Sequence, residues 1–185
     1  MSKILIKNKK WKFDKNTSLY FDTHILKSVP LYKESHDFVT DLFDFFSKKN
    51  FIFYDVGCST GSLLKKIQNK ITDKNLKCIG IDVEKSMITY AKKKNKHKNI
   101  SFIHADIIKY KLKKCDLVSS YYTMQFIEPS KRQLVVNKIF KSLNTGGSFV
   151  FFEKVRATNA KFQDIFISNY NEFKIRNGFS KKEIF

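Results

Sequence analysis

The chain has 185 residues, 42% of them hydrophobic and 15% aromatic, and its formal net charge at pH 7 is +19. This length and apolar content predict a single folded domain with its own core and exclude a chain that is disordered throughout. No apolar run reaches the length of a membrane span, and the basic N-terminus has no apolar segment of the kind found in signal peptides. We therefore expect a cytoplasmic protein that does not use a membrane.

The three cysteines, Cys58, Cys78 and Cys115, are odd in number and far apart in the sequence. This pattern predicts buried, reduced thiols rather than a disulfide framework. The four histidines are scattered without the spacing that metal ligands require, so we expect no metal site.

The basic residues are almost all lysine: of 36 lysines and arginines, only Arg132, Arg156 and Arg176 are arginine. Proteins that grip phosphate groups in a defined geometry favour arginine, because its planar fork binds two oxygens at once. The lysine excess therefore favours a solvated surface. A face selected for a polyanion such as nucleic acid is the alternative.

In chain order, residues 17–48 carry two helical patterns that are interrupted at Pro30. The second pattern places Phe38, Leu42 and Phe45 on one face at helical spacing. We predict that this face is buried in the core.

From residue 51 onward, predicted strands and helices alternate. The strands are 51–56, 77–83, 100–106, 116–122 and 148–155, and the helices are 62–70, 84–94, 130–143 and 159–176. Such alternation indicates crossover connections, and it predicts an α/β fold with a doubly wound, mainly parallel, Rossmann-like sheet. We divide this single domain into an N-terminal helical cap, 1–50, and a Rossmann-like core, 51–185.

The last predicted strand, 148–155, would lie at one edge of this sheet. Apolar edge strands invite pairing with another chain. The sequence stops at Phe185, soon after the helix that follows this strand. We expect either that a partner chain covers the edge, for example in a homodimer, or that the chain is shortened relative to a longer ancestor.

The segment "FIFYDVGCSTGSLLKKI", residues 51–67, joins the first of these strands to its helix. Gly57 permits a tight turn and the close approach of a ligand at the carboxyl end of the strand. A dinucleotide-binding loop has a further glycine where this chain has Ser59, so a pyrophosphate fits less well. A smaller anion such as an amino-acid carboxylate fits better, and the helix N-terminus can still stabilise its charge.

Aspartates end three successive predicted strands: Asp55, Asp82 and Asp106. Asp82 is placed to accept both hydroxyls of a ribose. Asp106, beside the backbone amide of Ile107, is placed to meet the exocyclic amine and a ring nitrogen of adenine. Each aspartate alone could be a turn former or a helix cap. Together with a loop for an amino-acid carboxylate, they describe a site for S-adenosyl-L-methionine.

Three motifs, "DVGCSTG", "GIDVEKSMI" and "HADI", resemble those of class I S-adenosylmethionine-dependent methyltransferases. Longer stretches narrow the resemblance: "KSVPLY", "YTMQFIEPSKRQ", "LNTGGSFVFFEK" and "FKIRNGFSKKEI" are similar to the carboxy-S-adenosylmethionine synthase family. The similarity runs from about Trp11 to the end of the chain in the same order. It implies the class I methyltransferase fold, with the last strands of that fold missing.

The family that these motifs resemble does not methylate. It binds S-adenosylmethionine and prephenate, and prephenate loses carbon dioxide and leaves as phenylpyruvate. A sulfonium ylide formed from the cofactor's methyl group captures the carbon dioxide and becomes carboxy-S-adenosylmethionine, which a partner enzyme uses to modify the wobble uridine of tRNA. The resemblance therefore implies a transferase with a small-molecule substrate, for which direct tRNA binding is not required.

The resemblance also implies cofactor-binding residues at positions that match the family's motifs. They are Tyr32, Gly57, Cys58, Ser59, Asp82, Val83, Asp106 and Ile107. Tyr32 comes just after Pro30 on a stiff turn, where an aromatic ring can cover the cofactor. To these we add Asp55, from the first strand end, and Tyr121, which stands where the family has an asparagine that contacts the cofactor. The sequence identifies no catalytic residue.

The family's arginine that clamps the transferred carboxylate follows the "SKKEI" segment, beyond Phe185. We therefore expect a C-terminally shortened chain, in which Arg132, Arg156 or Arg176 would have to supply the cation.

Two alternative functions stay open. One is a methyltransferase of unknown acceptor, since methyl transfer needs mainly proximity and alignment. The other is a truncated, non-catalytic protein that binds through this fold.

Overall fold

The computed structural model describes residues 6–7, 10–11, 15–47, 50–71 and 75–184. Within them the elements are β1 (Ile6–Lys7), β2 (Lys10–Trp11), α1 (Lys15–Ser28), α2 (Tyr32–Phe46), β3 (Ile52–Val56), α3 (Ser62–Ile67), β4 (Lys77–Asp82), α4 (Lys85–Lys94), β5 (Ile100–His104), β6 (Cys115–Tyr121), α5 (Pro129–Ser142), β7 (Leu143–Phe152), α6 (Ala160–Arg176) and α7 (Lys181–Ile184). Each predicted helix and strand is present, with its ends shifted by a few residues. The rest of the predicted N-terminal cap lies outside the described residues.

Strands β3 to β7 form one sheet in the order β5-β4-β3-β6-β7. Every pairing is parallel, and Asp55 of β3 lies opposite Gly80 of β4 on one side and Ser119 of β6 on the other. The strand order reverses between β3 and β6, and such a reversal opens a crevice at the carboxyl ends of the strands. The predicted doubly wound parallel sheet is confirmed, and its switch point lies at the end of β3.

The central strands are buried on both faces, because their side chains alternate between two apolar clusters. The first cluster joins the sheet to α2, α3 and α4, and its buried members are Val39, Phe43, Phe51, Phe53, Cys58, Leu63, Leu64, Ile67, Leu76, Cys78, Ile88, Ala91, Phe102 and Leu117. The second joins the sheet to α5, and its buried members are Tyr54, Val56, Ile81, Ile107, Cys115, Val118, Ile127, Val135 and Ile139. Together they fix where the strand ends lie.

Helix α2 packs through a different face from the one that its hydrophobic spacing predicts. Of the predicted face, Phe38 and Phe45 are 53% and 84% exposed and Leu42 is half-buried, whereas Val39 and Phe43 are fully buried. The prediction was wrong because polar residues take inward positions on this helix. Thr40, for example, is buried and donates its hydroxyl to a carbonyl oxygen one turn earlier at 2.6 Å. A hydrogen bond within the helix offsets the free-energy cost of burying the hydroxyl group, and a hydrophobicity pattern does not detect such a bond.

Strand β7 lies at one edge of the sheet, and β6 is its only strand neighbour among the described residues. Phe151 of β7 is 58% exposed, and Phe162 and Phe166 of α6 are also exposed. This end of the sheet therefore presents apolar side chains to solvent, in agreement with the uncovered edge that the sequence predicts.

The predicted thiols are present: Cys58, Cys78 and Cys115 are all buried and none forms a disulfide. Burial raises the pKa of the Cys58 thiol, so this side chain is a weak nucleophile. In the part of the chain that the structure describes, no helix is both long enough and apolar enough to cross a bilayer.

The two faces of α2 can be separated by a pair of matched substitutions. Phe43→Ala should lower the free energy of unfolding by about 3–5 kcal/mol, because it leaves a cavity between α2 and the sheet. Phe45→Ala should change it by no more than about 0.5 kcal/mol, because that ring is already in solvent. Urea unfolding followed by circular dichroism measures both, and equal losses would contradict this packing.

Candidate cofactor site

The loop of residues 57–61 is held against the neighbouring strand by its backbone. The amides of Gly57 and Cys58 both donate to the carbonyl oxygen of Ile81, at 2.8 and 3.1 Å. Gly57 has φ +77° and Ser59 has φ +49°, so the chain makes a tight left-handed turn before α3 begins. The loop therefore lies over the end of β4 and the switch point, where the sequence analysis expects the cofactor.

Position 57 requires glycine for two reasons: its φ angle is positive, and a neighbouring side chain leaves no room for a Cβ atom. A Cβ atom added at this position would lie 2.0 Å from Oγ1 of Thr123. The Thr123 hydroxyl lies 3.2 Å from the carbonyl oxygen of Val56 and 3.0 Å from that of Tyr121, so it joins the ends of β3 and β6. This contact, which sequence reasoning did not identify, keeps the two sides of the crevice in register.

The carboxylate of Asp82, which was predicted to accept the ribose hydroxyls, also orders the backbone around it. Oδ2 accepts the Ser59 amide at 2.8 Å and Oδ1 accepts the Glu84 amide at 2.8 Å. Burial raises the pKa of Asp82, while these two amide donors oppose the rise. Each carboxylate oxygen keeps a further lone pair, so the group can still accept ribose hydroxyls.

Asp55 is buried beneath the loop. It accepts a hydrogen bond from the Ser119 hydroxyl at 2.7 Å, across the β3–β6 pairing. Burial raises the pKa of Asp55 to about 7; the bond from Ser119 opposes this rise and the charge of Asp82 adds to it. The first strand end therefore holds an acid that is half protonated near neutral pH, and a cation bound nearby would favour its ionised form.

The side chain of Cys58 points into the core rather than into the crevice. It belongs to the first apolar cluster, and a Cβ atom added at Gly80 would lie 2.8 Å from its sulfur. Only the backbone of Cys58 is therefore placed to meet a ligand.

The ends of β4 and β5 bring Val83 and Asp106 to the same edge of the sheet. Val83 is 60% exposed, and its carbonyl oxygen lies 2.9 Å from Nε2 of His104. Asp106 accepts the Ile108 amide at 2.8 Å on Oδ1, which fixes the turn after β5. The side chain of Ile107, which follows Asp106, is buried in the second apolar cluster. An exposed apolar side chain beside a carboxylate suits the face and the amine of a purine.

Three aromatic rings close the other side of the loop. The ring of His36 lies 4.3 Å from that of Tyr32 and 4.8 Å from that of Tyr121, measured between centroids. The Tyr32 hydroxyl lies 3.3 Å from Oγ of Ser62, the first residue of α3, and the Tyr121 hydroxyl donates to the Ser35 carbonyl at 2.8 Å. Tyr121 therefore holds α2 to the end of β6.

His36 was not among the predicted site residues, and no sequence motif marks it. Burial is the main cause that lowers its pKa to about 4, and the charge of Lys66 contributes in the same direction. The imidazole is therefore neutral at pH 7. Together with Tyr32 and Ser62 it lines a cleft of about 200 Å³ at the N-terminus of α3.

Helix α1 is tied to the loop through Asp22, which sequence reasoning also missed. The Thr60 hydroxyl donates to Oδ1 of Asp22, and Lys94 of α4 lies 2.7 Å from Oδ2. Thr60 is fully buried under this contact.

The structure brings all ten predicted site residues to the carboxyl edge of the sheet or to the helices above it. Their roles as cofactor ligands stay predictions.

A family model described as a methyltransferase domain matches residues 53–147. The fold is shared with a TehB-like SAM-dependent methyltransferase from Corynebacterium glutamicum, with a TM-score of 0.56, 18% identity and coverage of 89% of this chain and 82% of that one. The plantazolicin methyltransferase BpumL, solved with a triazolic desmethylPZN analog and SAH, gives a TM-score of 0.67, 18% identity and coverage of 92% and 61%. The fold and the matched domain define the class: a transferase of the S-adenosylmethionine-dependent type.

Relatives named carboxy-S-adenosyl-L-methionine synthase identify the family within that class. The protein from Campylobacter lari is 35% identical over 95% of this chain and 75% of its own length. Those from Staphylococcus epidermidis and Nitratiruptor sp. are 35% and 38% identical over 94% and 95% of this chain, and over 76% and 74% of their own lengths. The chain belongs to the carboxy-S-adenosyl-L-methionine synthase family, which confirms the resemblance and the cofactor that it implies.

Replacing Asp82 tests the role of the second strand end. Asp82→Ala should weaken S-adenosylmethionine binding by at least about 100-fold, because the ribose hydroxyls and the Ser59 amide lose a charged acceptor. Asp41→Ala, which removes an exposed aspartate of α2, should leave the affinity unchanged. Titration calorimetry measures both, and near-wild-type affinity of the Asp82 variant would defeat the assignment.

The raised pKa of Asp55 predicts a pH dependence of stability. Between the ordinary pKa of 3.8 and the folded value of about 7, the unfolded chain releases this proton while the folded protein retains it. Asp55 therefore favours folding at acidic pH, and this contribution is lost as the pH rises through 7. Asp55→Asn removes the effect, so its stability relative to the wild type should increase from pH 4 to pH 8. A difference that stays constant across this range, measured by urea unfolding, would contradict the burial of a protonated acid.

Proposed function

We propose that this chain is a carboxy-S-adenosyl-L-methionine synthase that uses prephenate as the carboxyl donor. The observation that carries the proposal is the juxtaposition of the loop at 57–61 with Asp82 and Asp106 at the ends of three adjacent strands. Family membership supports it, because relatives of this name are similar over nearly the whole chain. The product would then serve a partner enzyme in the modification of tRNA.

Each part of S-adenosylmethionine has a group of matching chemistry in the site. Asp82 would accept the ribose hydroxyls, and Asp106 with the Ile107 amide would meet the adenine edge. The backbone of the loop and the N-terminus of α3 would face the methionine carboxylate. Tyr32, whose hydroxyl lies beside Ser62, would cover this end from α2.

The chemistry is balanced without another reactant. Prephenate loses carbon dioxide and hydroxide and becomes phenylpyruvate. Bound S-adenosylmethionine would supply the carbon that takes up the carbon dioxide, and the proton released from that carbon would leave with the hydroxide as water. For this the protein must exclude bulk water and hold the donor against the methyl group, which is a task of positioning.

The arginines do not offer an evident clamp for the transferred carboxylate. Arg132 donates from Nε to the Ile127 carbonyl at 3.0 Å and from its terminal nitrogen to the Gln125 carbonyl at 3.3 Å. Its fork therefore holds the loop after β6. Arg156 and Arg176 are exposed.

A second candidate is a methyltransferase with an acceptor of unknown chemistry. The match of residues 53–147 to a methyltransferase domain favours it, and the same cofactor site would serve it. The two candidates differ in what happens to the methyl carbon: it gains a carboxyl group in the first and leaves the cofactor in the second.

Mass spectrometry of the reaction products separates these candidates. Purified protein is incubated with S-adenosylmethionine and with prephenate labelled with ¹³C in the carboxyl group that is lost. We expect a cofactor product that is heavier by one labelled carbon dioxide, together with phenylpyruvate. Omitting prephenate, or using Asp82→Ala, should abolish the product. Cofactor binding without any carboxylated product would overturn the proposal.

A further inference from the structure

Two lysines lie beside one aromatic ring next to β7, the edge strand, which contributes none of the ten predicted cofactor residues. Nζ of Lys174 lies 4.3 Å from the centroid of the Tyr170 ring, and Nζ of Lys154 lies 5.7 Å from it. Lys154 follows β7, while Tyr170 and Lys174 are one turn apart on α6. We refer to Lys154, Tyr170 and Lys174 as the lysine pair cluster.

A short series of contacts connects this cluster to the cofactor loop. Thr123 lies against Gly57, as described above. The next residue, Met124, donates its amide to Oε1 of Glu153 at 2.6 Å, and Glu153 directly precedes Lys154. The cluster is therefore at the carboxyl edge of the sheet, across the switch point from Asp82. In an open parallel sheet, ligands bind in the crevice along this edge, so the cluster lies beside the region in which a second substrate would bind.

The two ammonium groups lack the partners that other lysines of this chain have. Lys66, Lys70 and Lys94 form ion pairs with aspartates, whereas within the described ranges neither Lys154 nor Lys174 lies within ion-pair distance of a carboxylate. Burial, and then the like charge of Lys154, lower the pKa of Lys174. A carboxylate near these ammonium groups would favour their charged forms and so offset both effects.

The neighbouring ionisable groups leave this place for an incoming anion. The Glu153 carboxylate is turned to the Met124 amide. Glu183 accepts from the backbone and hydroxyl of Ser180 in the segment after α6. The ring of His24 from α1 packs edge-on against Phe179 at 5.5 Å. None of these contacts provides a counterion for the lysines.

We propose that the lysine pair cluster binds a carboxylate of the second substrate through Lys154 and Lys174, which both lie beside the Tyr170 ring. The inference rests on the proposed function, in which the donor, prephenate, is a small cyclic acid with two carboxylates. Lysine suits this role because a point charge can hold a carboxylate without fixing its orientation.

Charge-removing variants test the proposal directly. Lys174→Met and Lys154→Met keep the apolar part of each side chain and should each raise the Kd for prephenate, and its KM, by at least about tenfold. Lys174→Arg should restore most of the affinity. The matched control is Lys161→Met, an exposed lysine at the start of the same helix, which should change neither value. The Kd for S-adenosylmethionine should stay unchanged in all variants.

Binding and turnover distinguish the failure of this inference from failure of the proposed function. Calorimetry with prephenate, in the presence of S-adenosylmethionine, reports on the lysines whether or not product forms. Binding that both methionine variants weaken supports the cluster even if the wild type makes no carboxylated product. Unchanged Kd and KM in both variants, or no prephenate binding by the wild type, would overturn it. Lys154 is exposed, so its variant decides the matter even if Lys174→Met proves unstable.

Discussion

The bonds that hold the loop of residues 57–61 to the end of β4 are the constraint on which the site depends. Two loop amides converge on the carbonyl oxygen of Ile81, and a third, that of Ser59, is held by the Asp82 carboxylate. These bonds set a left-handed turn at a non-glycine residue, which would otherwise be unfavourable. Asp82 is thus both part of the turn and the expected partner of the ribose, so the cofactor would meet a carboxylate that is already oriented.

The packing of the sheet explains why this loop can be positioned so closely. Strands β3 and β6 are covered on both faces, and their ends are joined by Thr123 and by the bond between Ser119 and Asp55. Helix α1 is tied to the loop through Asp22, and α2 is tied to the start of α3 through Tyr32 and to the end of β6 through Tyr121. One side of the crevice therefore carries the carboxylates of Asp82 and Asp106. The opposite side carries two lysines, and this division suits a cationic cofactor and an anionic donor.

Sequence reasoning predicts the parts of the fold and the site that depend on local pattern. The alternation of strands and helices and the aspartates at three strand ends can both be recognised from short-range spacing. In the structure, the three aspartates lie at one edge of the sheet. The prediction of the inward face of α2 was wrong, because Thr40 is buried with a hydrogen bond inside the helix while Phe45 lies in solvent. His36, Asp22 and Thr123 were missed because their roles come from contacts between residues far apart in the chain. The lysine pair cluster was missed for the same reason.

A crystal structure with S-adenosylmethionine or its demethylated product would show whether the loop at 57–61 and Asp82 bind the cofactor. We expect the ligand to lie over this loop, with both ribose hydroxyls within hydrogen-bonding distance of the Asp82 carboxylate. We also expect adenine beside Val83 and the amide of Ile107, and the methionine end under Tyr32. A ligand bound elsewhere, or a ribose that makes no contact with Asp82, would contradict this assignment.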